Sequence, residues 1–257
     1  MTATYLYALV RSAKKPSLAR APRGVPKSAQ PRLLDAGDGL WLVAAGVPGD
    51  RYGEEALADG LRDLDWVSEC ALAHEAMVEH FIGADAVVPM KLFTIFLSDE
   101  RALAHVKKRR RSMERVLARV AGRVEWGLRL TLDERRALAQ ADKKASKSAP
   151  SSSSGAAFLL RKKTLHDTAR ALQTEARDRA EEIFESLASR AADARRRPPI
   201  DPELGARLLL DAAYLVPARE AKGFRGAVAG LARALPDGYQ VTLTGPWPPY
   251  NFVADGA

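Results

Sequence analysis

The sequence predicts an α+β protein of two domains, because strand-like and helix-like segments alternate along it without a repeated unit. Thr4–Val10 is rich in aromatic and β-favouring residues and is typical of a core strand. Leu40–Ala45 and Ala86–Phe96 predict two further strands. Residues 65–82 place apolar side chains at intervals of three and four, which predicts a helix with one buried stripe.

Composition restricts the function classes. A chain of 257 residues with 47% hydrophobic content can bury a core for two domains of ordinary size. Its single cysteine, Cys70, excludes an intrachain disulfide and a zinc site built on several thiolates. No secretion signal is recognised at the N-terminus, and no apolar run approaches the roughly 20 residues of a membrane span. We therefore expect a cytoplasmic protein without a membrane span.

Composition also suggests the domain boundaries. We expect residues 1–139 to form the first domain. Its last predicted strand is the alternating segment Val124–Leu132, which should be half-exposed and complete the first sheet. Residues 140–154 are rich in serine and lysine and predict a flexible linker. Residues 155–257 then form the second α+β domain. Another irregular stretch, residues 13–32, contains four prolines and predicts a mobile loop.

The second domain begins with the most regular helical pattern in the sequence, residues 155–197. Its small apolar residues recur every eleven positions, which predicts a nearly straight helix ended by Pro198-Pro199. Such a helix carries more apolar stripe than two or three strands can cover. We therefore expect its distal half to receive an amphipathic helix of a partner, through Ile183, Leu187, Ala191, Arg195, Arg196 and Arg197.

Catalytic signatures are missing from the sequence. His74 and His80 are six residues apart, so their rings diverge on a helix and do not match the spacing of a zinc protease. No phosphate-binding glycine loop or nucleophile turn occurs. Cys70 lies on an apolar stripe and is typical of a core residue. We expect no catalytic residue, metal, cofactor or small-molecule substrate.

Charge leaves several partners open. The net charge is +8, and Lys107–Arg111 form a basic run inside a predicted helix. This run is typical of a solvated helix face. The alternative is that it forms a docking patch for an acidic protein. Nucleic acid binding is not expected, because no recognised motif accompanies the run.

The closing segment, Gly245–Val253, combines three prolines with Trp247, Tyr250 and Phe252. Proline restricts the backbone and the rings supply apolar area, so the segment adopts a stiff shape at little entropic cost. We expect a clasp packed across the sheet of the second domain, in which Trp247 is architectural. A recognition surface is the alternative.

These pieces together resemble the gas vesicle protein F/L family along nearly the whole chain. The most specific match is the string from Leu243 to Val253, LTGPWPPYNFV. The other motifs occur in the family's order: Tyr5-Leu6-Tyr7, His74-Glu75, Val88-Pro89-Met90, Glu125-Trp126-Gly127, residues 155–159 followed by Arg161-Lys162, and Tyr214-Leu215-Val216. One departure is Lys91-Leu92-Phe93, where the family usually shows Arg-Phe-Gly before the threonine.

The resemblance implies a ferredoxin-like N-terminal domain with an irregular first connection and a C-terminal α+β domain with long helices. It implies structural roles for the motif residues Pro89, Trp126, Gly127, Tyr214, Gly245, Trp247, Pro248, Tyr250 and Phe252. It also implies a non-catalytic, chaperone-like accessory protein of gas vesicle assembly that binds the hydrophobic main shell protein and other accessory proteins. A minor structural component retained in the vesicle shell is the alternative.

Overall fold

The chain combines helices and sheets, as the sequence predicts, and it divides into two compact units. The computed structural model describes residues 2–146, 155–198 and 206–253. One unit comprises Met1–Glu125 together with Pro246–Ala257, and the other comprises Trp126–Gly245. The boundary therefore differs from the expected linker at residues 140–154.

The first unit contains five strands and five helices among its described residues. In chain order these are β1 Thr2–Arg11, β2 Arg32–Gly37, β3 Leu40–Pro48, α1 Gly49–Tyr52, α2 Glu54–Gly60, α3 Leu64–Glu79, β4 Ala86–Pro89, β5 Ile95–Phe96, α4 Asp99–Lys108 and α5 Arg110–Val120. The sheet has the order β2-β3-β1-β4, and β5 also pairs with β1. Strand β1 is antiparallel to β3, β4 and β5.

Strand β1 is the centre of this sheet, which confirms the predicted core strand. Every residue from Tyr5 to Val10 is at most 1% exposed. A strand that is apolar on both faces can only lie between two layers, because each face needs a covering. The register shifts between Leu6 and Ala8, so Tyr7 sits at a β-bulge.

Helix α3 begins where the Asp63 side chain accepts a hydrogen bond from the Trp66 backbone N–H, a standard N-cap. Its buried face includes Cys70, His74 and Met77, which confirms the stripe seen in the sequence. Cys70 and Met77 pack in one apolar cluster with Tyr5 and other residues of the sheet. The helix thus covers the aromatic side of β1.

The irregular segment between β1 and β2 is anchored to the core. The Tyr7 hydroxyl accepts a hydrogen bond from Val25 N at 2.9 Å, and the Tyr52 hydroxyl donates to Pro26 O at 2.8 Å. Val25 itself is 1% exposed. Proline and glycine prevent regular structure here, as expected, but the polar groups are paired with buried tyrosines, so the expected mobile loop is corrected to a pinned one.

The second unit contains the remaining elements, β6 Arg123–Leu132, α6 Glu134–Ser146, α7 Gly155–Ala188, β7 Asp193–Arg196, β8 Arg207–Pro217, α8 Ala221–Ala234 and β9 Tyr239–Trp247. Its sheet has the order β7-β8-β6-β9. Its described core includes Ile183 and Leu187 of α7, Tyr214 of β8, and Phe224 of α8.

Strand β6 forms where the alternating pattern predicts it, but it belongs to the other sheet. It lies between β8 and β9, and the unit boundary falls inside it, after Glu125. Most of the strand is buried rather than half-exposed. Because β6 has a strand on either side, its backbone forms hydrogen bonds along both edges. A pattern read along one strand does not reveal these partners.

Helix α7 ends earlier than the sequence suggests. It stops at Ala188, and Asp193–Arg196 form strand β7, which pairs antiparallel with β8. The expected linker is partly wrong as well, because α6 continues to Ser146. The remaining linker residues, 147–154, lie outside the described residues.

Candidate functional site

A pocket beside α3 brings together three segments that are distant in sequence. Its volume is about 370 Å³. It is lined by one side of α3, by the residues that follow β4, and by one ring of the closing segment: Ala71, His74, Glu75, Met90, Lys91, Leu92 and Tyr250. Three of the motifs that carry the family resemblance therefore meet at one place, and we call it the α3 pocket.

His74 forms the inner wall of the α3 pocket and is held in one orientation. Its Nε2 lies 3.1 Å from the Met90 carbonyl oxygen, which can only accept, so Nε2 carries the proton. Its Nδ1 then accepts from the Tyr5 hydroxyl at 2.8 Å. Burial lowers the pKa of His74 to about 4. The imidazole is therefore neutral near pH 7 and serves as a structural bridge between β1, α3 and the segment after β4.

Charges of both signs lie at the pocket, because Glu75 and Lys91 both line it, and Glu79 follows Glu75 one helical turn later. The pKa of Glu79 is raised by burial and by the neighbouring charge of Glu75. Burial, followed by the charges of Glu75 and Glu79, raises the pKa of Tyr250. The Tyr250 hydroxyl is buried and has no hydrogen-bond partner within the described part of the chain. The pocket therefore combines mostly apolar walls with one carboxylate, one ammonium group and a buried phenol.

No nucleophile is activated at this pocket. Cys70, the free cysteine, is buried, and desolvation raises the pKa of its thiol. A thiol of raised pKa is a poor nucleophile. Within the described ranges no group of three or more His, Cys, Asp or Glu side chains is placed to hold a metal ion. The geometry suits binding.

The segment Lys91-Leu92-Phe93, where this chain departs from the family pattern, forms the turn next to the pocket. Phe93 has φ of +63°, a backbone conformation that glycine adopts freely and side chains resist. Its ring stacks on Trp66 with centroids 5.3 Å apart and planes at 16°. The stacked ring gives the phenylalanine a contact that a glycine at this position would lack.

The closing segment is anchored to the first unit, not to the second as expected. Glu125, which is 3% exposed, accepts the Asn251 backbone N–H at 2.9 Å and its side-chain N–H at 2.5 Å. Phe252 is fully buried, and Arg119 donates to its carbonyl at 3.3 Å. Trp247 is only half-buried, while Pro248 is buried. Phe252 and Asn251 are therefore the principal anchors.

The other motif residues are parts of strands. Pro89 ends β4 opposite Ala8. Tyr214 is fully buried in β8, and Trp126 is 5% exposed in β6. Gly127 approaches its neighbours closely, because an added Cβ would lie 2.8 Å from the Thr244 hydroxyl.

Gly245 and Tyr250 complete the set of motif residues. Gly245 has φ of +118° in β9, which only glycine adopts without strain. Tyr250 is half-buried and faces the α3 pocket.

The residues of the expected partner surface on α7 do not form one exposed stripe. Ile183 is 4% exposed and Leu187 is fully buried, so both belong to the core of the second unit. Ala191 lies beyond the end of α7 and Arg195 lies in β7, so they do not continue a helical stripe. Strand β8 and helix α8 pack against α7 and cover its apolar face.

The two remaining arginines of that surface have partners within the second unit. Arg196 pairs with Glu181 at 2.6 Å and lies over the Phe184 ring at 4.0 Å. Arg197 donates from Nε to buried Asp211 at 2.7 Å. Their charges are therefore used inside the unit, which removes the proposed steering role.

The basic run is largely a solvated face. Lys107, Lys108, Arg109 and Arg111 are exposed, whereas Arg110 is partly buried. Arg110 donates to Ala36 O at 3.0 Å and pairs with Asp38 at 2.6 Å. One residue of these five, Arg110, thus links α5 to the turn between β2 and β3.

No helix among the described residues is both long and apolar enough for a membrane span.

Two contacts at this site were not found from the sequence. The Tyr5–His74 hydrogen bond joins residues 69 positions apart, and the Glu125–Asn251 pair joins residues 126 positions apart. A signal existed for the second, since Asn251 is the only asparagine in the sequence and follows the stiff Trp/Pro string. Nothing in a single sequence indicates its acceptor.

Gas vesicle proteins of Streptomyces match the chain along nearly its full length. Gas vesicle protein L of Streptomyces sp. (strain CB03234) is 31% identical over 97% of this chain and 92% of that protein. Gas vesicle protein F of the same strain is 28% identical over 97% of this chain and 99% of that protein.

Two crystal structures have the same overall fold. Gas vesicle protein GvpF from Anabaena sp. PCC7120 superposes with a TM-score of 0.69 at 14% identity, over 98% of this chain and 96% of that one. GvpF from Microcystis aeruginosa superposes with a TM-score of 0.66 at 14% identity, over 98% of both chains. The family model for "Gas vesicle synthesis protein GvpL/GvpF" matches residues 3–254. With the motifs meeting at the α3 pocket, these matches show that the chain belongs to the GvpL/GvpF family of gas vesicle proteins.

Proposed function

We propose that this chain is a cytoplasmic, non-catalytic accessory protein of gas vesicle assembly that binds the hydrophobic main shell protein and other accessory proteins. Membership of the GvpL/GvpF family implies a role in gas vesicle formation, and the match over residues 3–254 is the observation that carries the proposal. The α3 pocket supports a binding role, because its walls are mostly apolar and carry Glu75 and Lys91 as polar contacts, while the buried thiol of nearby α3 residue Cys70 is not activated.

The proposal is tested by removing the chain and by capturing its partner. Cells that lack the chain should form no vesicles or fewer of them, and re-expression should restore them. Tagged full-length chain should co-purify with the main shell protein from cells that are building vesicles. A wild-type chain that captures no shell protein, although it restores vesicles, would refute the binding role.

The alternative function is that of a minor structural component retained in the finished shell. Intact vesicles would be isolated, washed with denaturant and probed for the chain. An assembly factor should be absent from washed particles, whereas a retained component should remain at a constant ratio to the shell protein. Neither function requires catalysis, so the two differ only in how long the chain stays bound.

The proposal extends to the fold of the first unit, which we assign as ferredoxin-like with an irregular first connection. The strand order β2-β3-β1-β4 and the antiparallel pairing of β1 with β3 and β4 support this assignment. The stretch between β1 and β2, which is pinned by Tyr7 and Tyr52, takes the place of the first crossover helix. A ferredoxin-like arrangement has a βαββαβ order, and α3 is its second helix.

We further propose that the family-motif residues hold the fold and do not contact partners. Buried Tyr214, Phe252 and Pro248 and the close approach at Gly127 support this assignment. Phe252→Ala should then reduce both stability and shell-protein capture. A variant that folds with wild-type stability and only loses capture would place Phe252 in the binding surface instead.

A further inference from the structure

The outer face of α3 carries large apolar side chains that are exposed to solvent. Among the described residues, four large apolar side chains are highly exposed: Leu61, Leu64, Leu72 and Leu97. Leu64 and Leu72 lie on α3, and Leu61 lies just before it. Leu64 is 75% exposed and Leu72 is 68% exposed. A single exposed leucine is ordinary, but two on one helix, with Leu61 shortly before it, are a candidate interaction surface.

Acidic side chains lie on the same side of α3 as Leu72, while Leu64 lies near Asp65 and the exposed Arg62. Asp65, Glu69, Glu75 and Glu79 are the charged residues of α3, which contains no lysine or arginine. At about 100° per residue, Leu64 and Leu72 lie about 80° apart, and all four acids lie within about 60° of Leu72. This local negative charge occurs on a chain of net charge +8.

The acids repel one another in the free protein. Glu75 and Glu79 are one helical turn apart, a spacing at which like charges destabilise a helix. Glu75 also contributes to the raised pKa of Glu79. A cationic partner would relieve this repulsion, whereas an anionic or purely apolar partner would not. The α3 pocket opens beside the same helix, at Ala71 and Glu75.

We propose that the outer face of α3 binds an amphipathic helix of a partner protein, one whose apolar stripe is flanked by lysine or arginine. The stripe covers Leu64 and Leu72, and the flanking cations face the four acids. The proposal rests on the proposed function only for the identity of this partner as a component of the vesicle system.

A second copy of this chain fits the face less well. Its basic surface on α4 and α5 offers exposed cations such as Lys108, Arg111 and Arg115. No large apolar side chain is highly exposed on those two helices. A copy would meet the acids but leave the leucines uncovered, so the complementary partner is a different helix.

The probe for this surface is a fluorescein-labelled leucine/lysine peptide of about five amphipathic turns, with a leucine/glutamate peptide of the same pattern as its counterpart. Binding to the full chain is followed by fluorescence anisotropy at low and high salt. The wild-type chain should bind the lysine peptide and not the glutamate peptide, and binding should weaken with salt. Equal binding of both peptides would overturn the proposal.

Serine substitutions locate the site. The double variant Leu64→Ser, Leu72→Ser should weaken binding of the lysine peptide by at least about tenfold, since burying one leucine corresponds to about that factor. The matched control is Leu97→Ser, at 76% exposure, which should leave binding unchanged. Unchanged binding in the double variant, or equal loss in the control, would refute the site.

A second variant keeps the test decisive if the double variant folds poorly. Ser68→Arg places a cation among the acids at an exposed position and should also weaken binding of the lysine peptide. Retained wild-type binding in Ser68→Arg would contradict the proposal. Light scattering adds one further outcome: a wild-type dimer that the leucine variants convert to monomer would assign the face to a second copy and overturn the proposal.

Capture of the main shell protein separates this inference from the proposed function. If the wild-type chain captures no shell protein, the proposed function fails while the peptide result still stands. If the wild-type chain and the double variant capture it equally, the function stands and the outer face of α3 is not its docking site. Capture that is lost in the double variant and retained in Leu97→Ser supports both.

Discussion

The contact between Asn251 and Glu125 should contribute strongly to the stability of the first unit. Glu125 is 3% exposed and accepts two hydrogen bonds from Asn251, one from its backbone at 2.9 Å and one from its side chain at 2.5 Å. Asn251→Ala removes only the side-chain donor. A hydrogen bond to a charged group contributes about 1.5 to 3 kcal/mol, and we expect a loss in that range.

The assay is urea unfolding followed by tryptophan fluorescence and far-UV circular dichroism. Asn251→Asp is the sharper variant, because it keeps the shape but turns a donor into an acceptor against a buried carboxylate. Its loss should exceed that of alanine and reach about 3 kcal/mol or more. Glu125→Gln combined with Asn251→Asp should recover part of this loss, since one carboxylate is removed and a donor returns.

The reasoning fails if Asn251→Ala unfolds within about 0.5 kcal/mol of the wild-type chain at an unchanged urea slope. It also fails if the effects of Glu125→Gln and Asn251→Asp simply add, because residues in direct contact should couple. Either result would show that the Asn251 side chain does not anchor the closing segment.

Three further predictions concern the core. Burial lowers the pKa of His74 from 6.5 to about 4, so the unfolded chain binds a proton that the folded chain refuses. Stability should therefore fall by about 3 kcal/mol as the pH drops from about 6.5 to 4, and urea titrations of His74→Gln should show a shallower pH dependence. Because φ of Phe93 is positive, Phe93→Gly should be more stable than Phe93→Ala by about 1 kcal/mol, the reverse of the usual order, and equal thermal midpoints would contradict the strain. Leu187→Ala should lower the free energy of unfolding by about 2 to 5 kcal/mol, because the side chain is fully buried. A folded Leu187→Ala variant with wild-type stability would return this position to the surface.

Local patterns predicted the elements of the chain better than their partners. The core strand β1 follows from a continuous run of aromatic and β-favouring residues, and the buried stripe of α3 follows from apolar residues at intervals of three and four. Strand β6 was also found in the sequence, but its place between β8 and β9 was not. Strand pairing joins distant residues, and a single sequence carries no record of which strands meet.

The end of α7 shows how tertiary pairing overrides local propensity. Residues 189–194 contain three alanines and neither glycine nor proline, so propensity favours continuing the helix to Pro198. Pairing of Asp193–Arg196 with β8 ends it instead. The arginines there are satisfied by the side chains of Glu181 and Asp211. The candidate site was missed for a similar reason, because its residues come from three remote segments.

The discontinuity of the first unit sets an order for folding during synthesis. Residues 126–245 form the second unit as one uninterrupted stretch, while the first unit needs residues 246–253 as well. The strands that enter and leave the inserted stretch, β6 and β9, are neighbours in one sheet, and Gly127 and Thr244 lie close together. On the ribosome the second unit can therefore fold completely before Asn251 and Phe252 of the first unit have been synthesised. The synthesis of the first unit begins first and is completed last. Substitutions or truncations near the C-terminus should therefore destabilise the N-terminal sheet.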